Sequence, residues 1–458
     1  MSEKQKSMVN DLTVGNVFRQ LIQFATPLMA SGLLQIVYNM VDAVVVGKVV
    51  GSEALAGVTI GGDLMHTITF FAMGFASAGQ VIISQFVGAK RMDKVQRTIG
   101  TLFTFLFLLA LALTGGLLLF RDSILHLLNT PAEAWDHTVA YLTPCIFGMV
   151  FIVGYNLVSS ILRGMGDSRR PFVFIAVASV LNVILDVLFV AGFHWGAFGA
   201  AFATVLSQSV SFILAIVYLY RNRDAFGFDF KWRSFGIYGD VFGPIIKLGI
   251  PMVFQSTAIS VSRLFVSANI NSYGFLATAV TGIGGKLDSV INIFNNSVST
   301  AGAAMIGQCI GGEKYERVPK VIRASFVIDL SVCAALSAFL LAFPRMVFGL
   351  FTDDAQTLEM CMVYLPVVIL SFVGSVSRAP FFSLISGSGN APLNLTVGIV
   401  DGVVARVGLS LLLGEVLAMG IYGYWYGGAL AGFVPFFIGG IYFLSGKWKT
   451  RKHVMSDD

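Results

Sequence analysis

Asn182 and Asp186 stand four residues apart in an aliphatic run, a spacing that leaves them only about 40° apart on one face of an α-helix. In a separate apolar run, Gln35, Tyr38 and Asp42 follow an i, i+3, i+7 stripe, so all three can look the same way. Thr204 follows the small-residue string Gly199-Ala200-Ala201-Phe202-Ala203, which permits close helix contact. Two carboxylates, an amide and a hydroxyl at membrane depth can line a small oxygen site. Such a site can hold Na⁺, or keep a proton because burial disfavours the charged carboxylate. The plainer role, each Asp bonding a neighbouring helix, weighs less for a group of four than for one. Pro27 lies upstream of Asp42 in the same run and withholds one backbone hydrogen bond, so this helix is expected to bend there.

The elements that carry these residues follow from composition. Of 458 residues, 56% are hydrophobic and 12% charged, against about 25% charged in soluble domains, and the mean hydropathy is +0.80. Such a chain is neither an ordinary soluble enzyme nor disordered. A spanning helix needs about 20 apolar residues. Twelve stretches qualify: Phe18–Val46, Ala54–Phe86, Ile99–Phe120, Thr138–Leu162, Pro171–Phe193, Gly196–Tyr220, Val241–Ile270, Ala277–Cys309, Val318–Phe343, Leu358–Ile385, Leu393–Leu413 and Ala418–Leu444. A barrel would instead show ten-residue alternation. The fold class is therefore an all-α polytopic membrane protein with twelve transmembrane helices.

Lys and Arg sort by side. The connections on one side, with both chain ends, carry 23; the other side carries three, Lys48, Arg121 and Arg345. This predicts an integral protein of the cytoplasmic membrane with both termini cytoplasmic. Basic residues that flank lipid need no nucleic acid as partner.

The chain also repeats itself. Pro27 and Pro251 are 224 residues apart, while Ala78-Gly79 with Ala301-Gly302, Gln85 with Gln308, Gly88 with Gly311, and Gly164-Met165-Gly166-Asp167 with Gly387-Ser388-Gly389-Asn390 share an offset of 223. A displacement of six spans keeps both halves in the same sense, a parallel repeat of two pseudo-symmetric six-helix bundles. The expected organisation is an N-terminal lobe at 1–222, a cytoplasmic linker at 223–240 and a C-terminal lobe at 241–458. Rocking one lobe against the other suits a transporter.

The second half does not copy the acidic group. It places Arg263, Lys286, Asp288, Arg378, Asp401 and Arg406 in its spans. Structural ion pairs such as Arg378 with Asp401 account for several of them; alternatively Arg263 or Arg406 attracts an anionic group on the substrate. Cys145, Cys309, Cys333 and Cys361 each lie alone, without metal or redox spacing. No catalytic motif and no Gly-x4-Gly-Lys-Ser/Thr loop is present, so neither enzyme chemistry nor ATP is expected.

Pro27 with Asp42, Gln85-Phe86-Val87-Gly88-Ala89, Arg163-Gly164-Met165-Gly166-Asp167, Asn182 with Asp186, and Gly196-Ala197-Phe198-Gly199-Ala200-Ala201 occur in this order over nearly the whole chain. In this the sequence resembles the multidrug and toxic compound extrusion (MATE) family, in its DinF-like prokaryotic branch. The resemblance implies that Asp42, Asn182, Asp186 and Thr204 form a site for H⁺ or Na⁺, exchanged for a drug, and that Gln35, Tyr38 and Asn156 fall on the cavity wall. The expected function is cation-coupled efflux of amphipathic, often cationic compounds by alternating access, with no cofactor beyond the coupling ion. The rival is a flippase for a lipid-linked saccharide or other amphiphilic lipid, which the second-half arginines favour.

Overall fold

In lipid, every backbone N–H and C=O must find its partner within the segment, and long apolar runs meet that demand by winding into helices. A computed structural model of the chain describes residues 10–450; Lys4, Lys6, Arg451 and Lys452, counted among the basic residues above, lie outside them. The runs become α1 (Val17–Val49), α2 (Ser52–Gly88), α3 (Met92–Leu127), α4 (Ala132–Phe147 and Met149–Gly164), α5 (Arg169–Gly192) and α6 (Gly196–Arg221). The second half contributes α7 (Gly239–Asn271), α8 (Phe275–Gly311), α9 (Val318–Ala342), α10 (Ala355–Gly387), α11 (Ala391–Val416) and α12 (Ile421–Leu444). Ten of these are long and apolar enough to cross a membrane, and α4, bent by 53° at its break, makes eleven. The twelfth, α8, has 37 residues; Lys286, Asp288 and a series of Thr, Ser and Asn lower its hydropathy.

The repeat is visible in the packing of each half. At Gly164 an added Cβ would come within 2.8 Å of the Gln80 carbonyl oxygen, and at Gly387 within 2.7 Å of that of Ala303. Ile83 and Ile306 complete the two contacts at 3.0 Å each. Gly166 and Gly389 then turn the chain with positive φ, +87° and +66°. The next side chains hold the following helix: Asp167 Oδ1 accepts from the Arg169 N–H at 3.0 Å, and Asn390 Oδ1 from the Leu393 N–H at 3.2 Å. The corners α4–α5 and α10–α11 are thus two copies of one design.

Packing groups the chain into two units, one built on Pro27–Gly249, the other on Leu12–Thr26 with residues 250–450. Both α1 and α7 change unit beside a proline, α1 between Thr26 and Pro27, α7 just before Ile250-Pro251. In the first unit, Phe228, Phe230 and Phe235 of the segment after α6 gather on Phe103 of α3, with ring separations from 4.8 to 6.5 Å. Lys94 and Arg97 hold Asp240, at the start of α7, at 2.9 and 3.0 Å. In the second unit, Arg317 donates to the carbonyls of Gly15 and Leu12 and to Gln20 Oε1. The Leu12 N–H donates to Gln308 Oε1 at 2.9 Å.

Two helices leave the α register. Directly after Asp186, α5 winds as a π-helix over Val187–Gly192; α11 does so over Gly398–Val407 and again over Leu412–Val416. Such stretches recur at functional sites.

Candidate functional site

Three helices of the first unit bring the acidic group together. Asn182 and Asp186 occupy the last α-helical turns of α5, and Asp186 is 0% exposed. Across from them on α6, Thr204 Oγ1 donates to the Ala200 carbonyl at 3.0 Å and receives the Asn182 amide N–H at 3.4 Å. The α5–α6 turn that sets this register is fixed by rings: Phe189 stacks on Trp195 at 5.0 Å and meets Phe202 at 5.6 Å. On α1, Asp42 is buried, and its carboxylate is near enough for its charge to act on Asp186.

The hydrogen-bond account of this group does not close. Both oxygens of Asp186, one oxygen of Asp42 and Oδ1 of Asn182 are buried without a donor. A buried, unpaired carboxylate is costly, and two near each other more so. A proton on either carboxylate would supply one donor to this set, and Na⁺ would supply a charge to the same oxygens. Among the described residues no group of three or more His, Cys, Asp or Glu could hold a metal ion.

Of the remaining expected residues, Tyr38 senses Asp42 and Asp186 and so belongs to the group. Asn156 instead donates its amide to the Ile152 carbonyl of its own helix at 2.8 Å. Gln35 is exposed and forms no hydrogen bond among the described residues. Pro27 sits inside a helix that runs unbroken from Val17 to Val49. Sequence reasoning missed two aromatic neighbours, Tyr141 and Tyr155. Tyr141 senses both carboxylates, and Tyr155 lies near enough to Tyr38 to act on it and donates its hydroxyl to the Pro171 carbonyl at 3.1 Å. The repeat could have exposed Tyr141: it faces Gly61 as Tyr364 faces Gly284, again 223 residues on.

In the second unit, Asp401 is 0% exposed and shared: Arg406 reaches it at 3.2 Å and Arg378 at 3.9 Å. The expected Arg378–Asp401 pair is therefore present, with Arg406 as the nearer partner. Asp288 accepts from Ser371 Oγ at 2.9 and 3.1 Å. A further acid escaped notice in the sequence. Asp329, on α9, is 0% exposed with neither oxygen hydrogen-bonded, and the hydroxyl of Ser325, one turn before it, is equally unpartnered. Its signal was the same as for Asp42, a lone carboxylate in an apolar run. The four cysteines are free and buried.

Comparison with known proteins extends these observations. A family model described as MatE matches residues 27–188 and 251–431, one segment in each half. The probable multidrug resistance protein YpnP of Bacillus subtilis is 31% identical over 67% of this chain and 68% of its own length. The probable multidrug resistance protein YoeA of the same organism is 27% identical over 90% of each chain. A solved structure described as the outward-facing conformation of a multidrug resistance MATE family transporter of the MOP superfamily has the same fold. It aligns with a TM-score of 0.88 at 24% identity, over 98% of this chain and all of the other.

Proposed function

The chain belongs to the MatE family of membrane transporters, and from that premise we propose that it is a multidrug efflux antiporter that exchanges H⁺ or Na⁺ for amphipathic, often cationic compounds. The observation that carries the coupling is the set of four buried acceptor oxygens on Asp42, Asn182 and Asp186 that have no donor. The names of YpnP and YoeA support the class of cargo. No ATP enters this reading; the ion gradient is the source of energy, and no cofactor beyond that ion is required.

In the cycle we propose, protons or Na⁺ ions enter the site from outside and neutralise Asp42 and Asp186. Tyr38, Gln35 and Asn156 flank the path of the drug. Neutralisation changes how α1 packs beyond Pro27, weakens the hold on a cationic drug, and the drug departs. The transporter then turns to the other side and releases the cation to the cytoplasm. Coupling demands that cation and drug favour different states, since equal affinity for both would shift nothing. The count of 23 Lys and Arg against three supports a cytoplasmic-membrane location with both chain ends in the cytoplasm.

The test is transport of a cationic dye in proteoliposomes under imposed H⁺ or Na⁺ gradients. The wild type is expected to respond to one of them, and Asp42→Asn and Asp186→Asn are each expected to fall to the leak seen without a gradient. Unchanged gradient-driven transport in both variants would refute the coupling site. An anionic lipid moved without either gradient would mark a flippase instead.

A further inference from the structure

Arg263, Arg378 and Arg406 line one cavity of about 280 Å³ within the second unit, with Asp288 on its wall. The guanidinium groups are near enough to repel one another. Two carboxylates face these three cations, and they answer them unevenly. Asp401 is divided between Arg406 and Arg378, while Asp288 is engaged by Ser371. Arg263 senses Asp288 and Asp401 only at a distance, and among the described residues it forms no ion pair or hydrogen bond with either. Nε of Arg406 is buried and unpartnered as well.

A cation left uncompensated in a membrane-embedded cavity is costly, and an entering anion removes that cost. Guanidinium forks match the oxygens of phosphate or carboxylate with paired, charge-assisted bonds. Aromatic side chains share the lining with them. Tyr364 meets Trp425 edge to face at 4.6 Å, and the Trp425 indole N–H is pinned to Thr281 Oγ1 at 2.9 Å. The volume lies at the small end of ligand pockets, which run from about 300 to 1,000 Å³, so it suits a head group rather than a whole drug.

We propose that this cavity is an anion site, with Arg263 as its free anchor and Arg378 and Arg406 as its flanks, for a phosphate-type oxyanion that is either free or the head of a lipid. The site goes beyond the efflux reading and does not depend on the roles of Asp42 and Asp186.

The test is thermal unfolding of the full-length protein in neutral detergent, titrated with inorganic phosphate, dodecyl phosphate or dodecyltrimethylammonium. At least one phosphate probe is expected to stabilise the wild type saturably, and dodecyltrimethylammonium is not. Arg263→Gln is expected to raise the half-saturating concentration by about tenfold or more, the loss typical of one charge-assisted contact, while Glu359→Gln, at an exposed acid outside the cavity, leaves it unchanged. Because Arg263 has no ion pair to break, the variant is expected to fold; if it does not, Arg263→Lys, which keeps the charge but lacks the fork, carries the same expectation. Stabilisation by inorganic phosphate identifies a free oxyanion, and stabilisation by dodecyl phosphate alone identifies a lipid head. Saturable binding of neither phosphate probe, equal binding by the Arg263 variant, or equal stabilisation by the cationic amphiphile would overturn the proposal. Dye transport by the Asp42 and Asp186 variants is a separate readout, so failure here and failure of the efflux reading are distinguishable.

Discussion

Neutralising Asp401 is expected to damage the protein far more than neutralising an acid at its surface. Asp401→Asn leaves Arg406 and Arg378 without their shared carboxylate in a buried setting, and breaking such a pair from one side costs about 3–5 kcal/mol. Glu359→Gln loses an exposed contact to Arg345, worth about 0–1 kcal/mol. Unfolding midpoints of the two variants in detergent should differ accordingly, and equal midpoints would show that Asp401 is not the partner of the arginines. Residues of this kind differ in how openly a sequence announces them. Asp42, Asn182 and Asp186 stand out because polar atoms are rare in apolar runs. Asp329 carries the same mark, but its only polar neighbour one turn away on its helix is the hydroxyl of Ser325, a weaker signal than an amide or a second acid. Tyr141 and Tyr155 carry none, since tyrosine is at home in any membrane protein. Arg406 was hidden from Asp401 by geometry: five residues in α register lie about 140° apart, and it is the wider π winding that brings them face to face.

Helix contacts are set by the smallest side chains. On α12 an added Cβ at Gly427 would come within 2.5 Å of the Ser410 backbone nitrogen on α11. Gly427→Ala is therefore expected to lower stability by about 1–3 kcal/mol through overpacking. Gly408→Ala, where a Cβ meets nothing within 4 Å, is expected to be neutral or slightly stabilising. Thermal unfolding of the two variants tests this, and a neutral Gly427→Ala would mean that α11 and α12 can separate freely. Helices themselves were legible from hydropathy, and even α8, which falls short of the other spans in hydropathy, was read as the apolar stretch Ala277–Cys309. Their departures from α register were not, because no residue type marks an i→i+5 hydrogen bond.

At the scale of the molecule, the repeat and the charge asymmetry were both readable in the chain, since each is a pattern over hundreds of residues and survives local uncertainty. The proposed orientation rests on the second. A cysteine replacing Trp232, 91% exposed after α6, is expected to react with an impermeant thiol reagent from the cytoplasmic side alone. One replacing Arg345, 69% exposed before α10, is expected to react from outside. The four native cysteines are buried and should stay silent; labelling from the reverse sides would invert the topology. The wide winding of α11 has its own consequence at this scale. Gly398–Val407 accommodates one residue more between Asp401 and Arg406 than ordinary winding would tolerate, so a relative that lacks that residue keeps the same two groups together at a spacing of four. Column-by-column alignment through this stretch would slip by one position, and an arginine that has merely moved would be scored as lost.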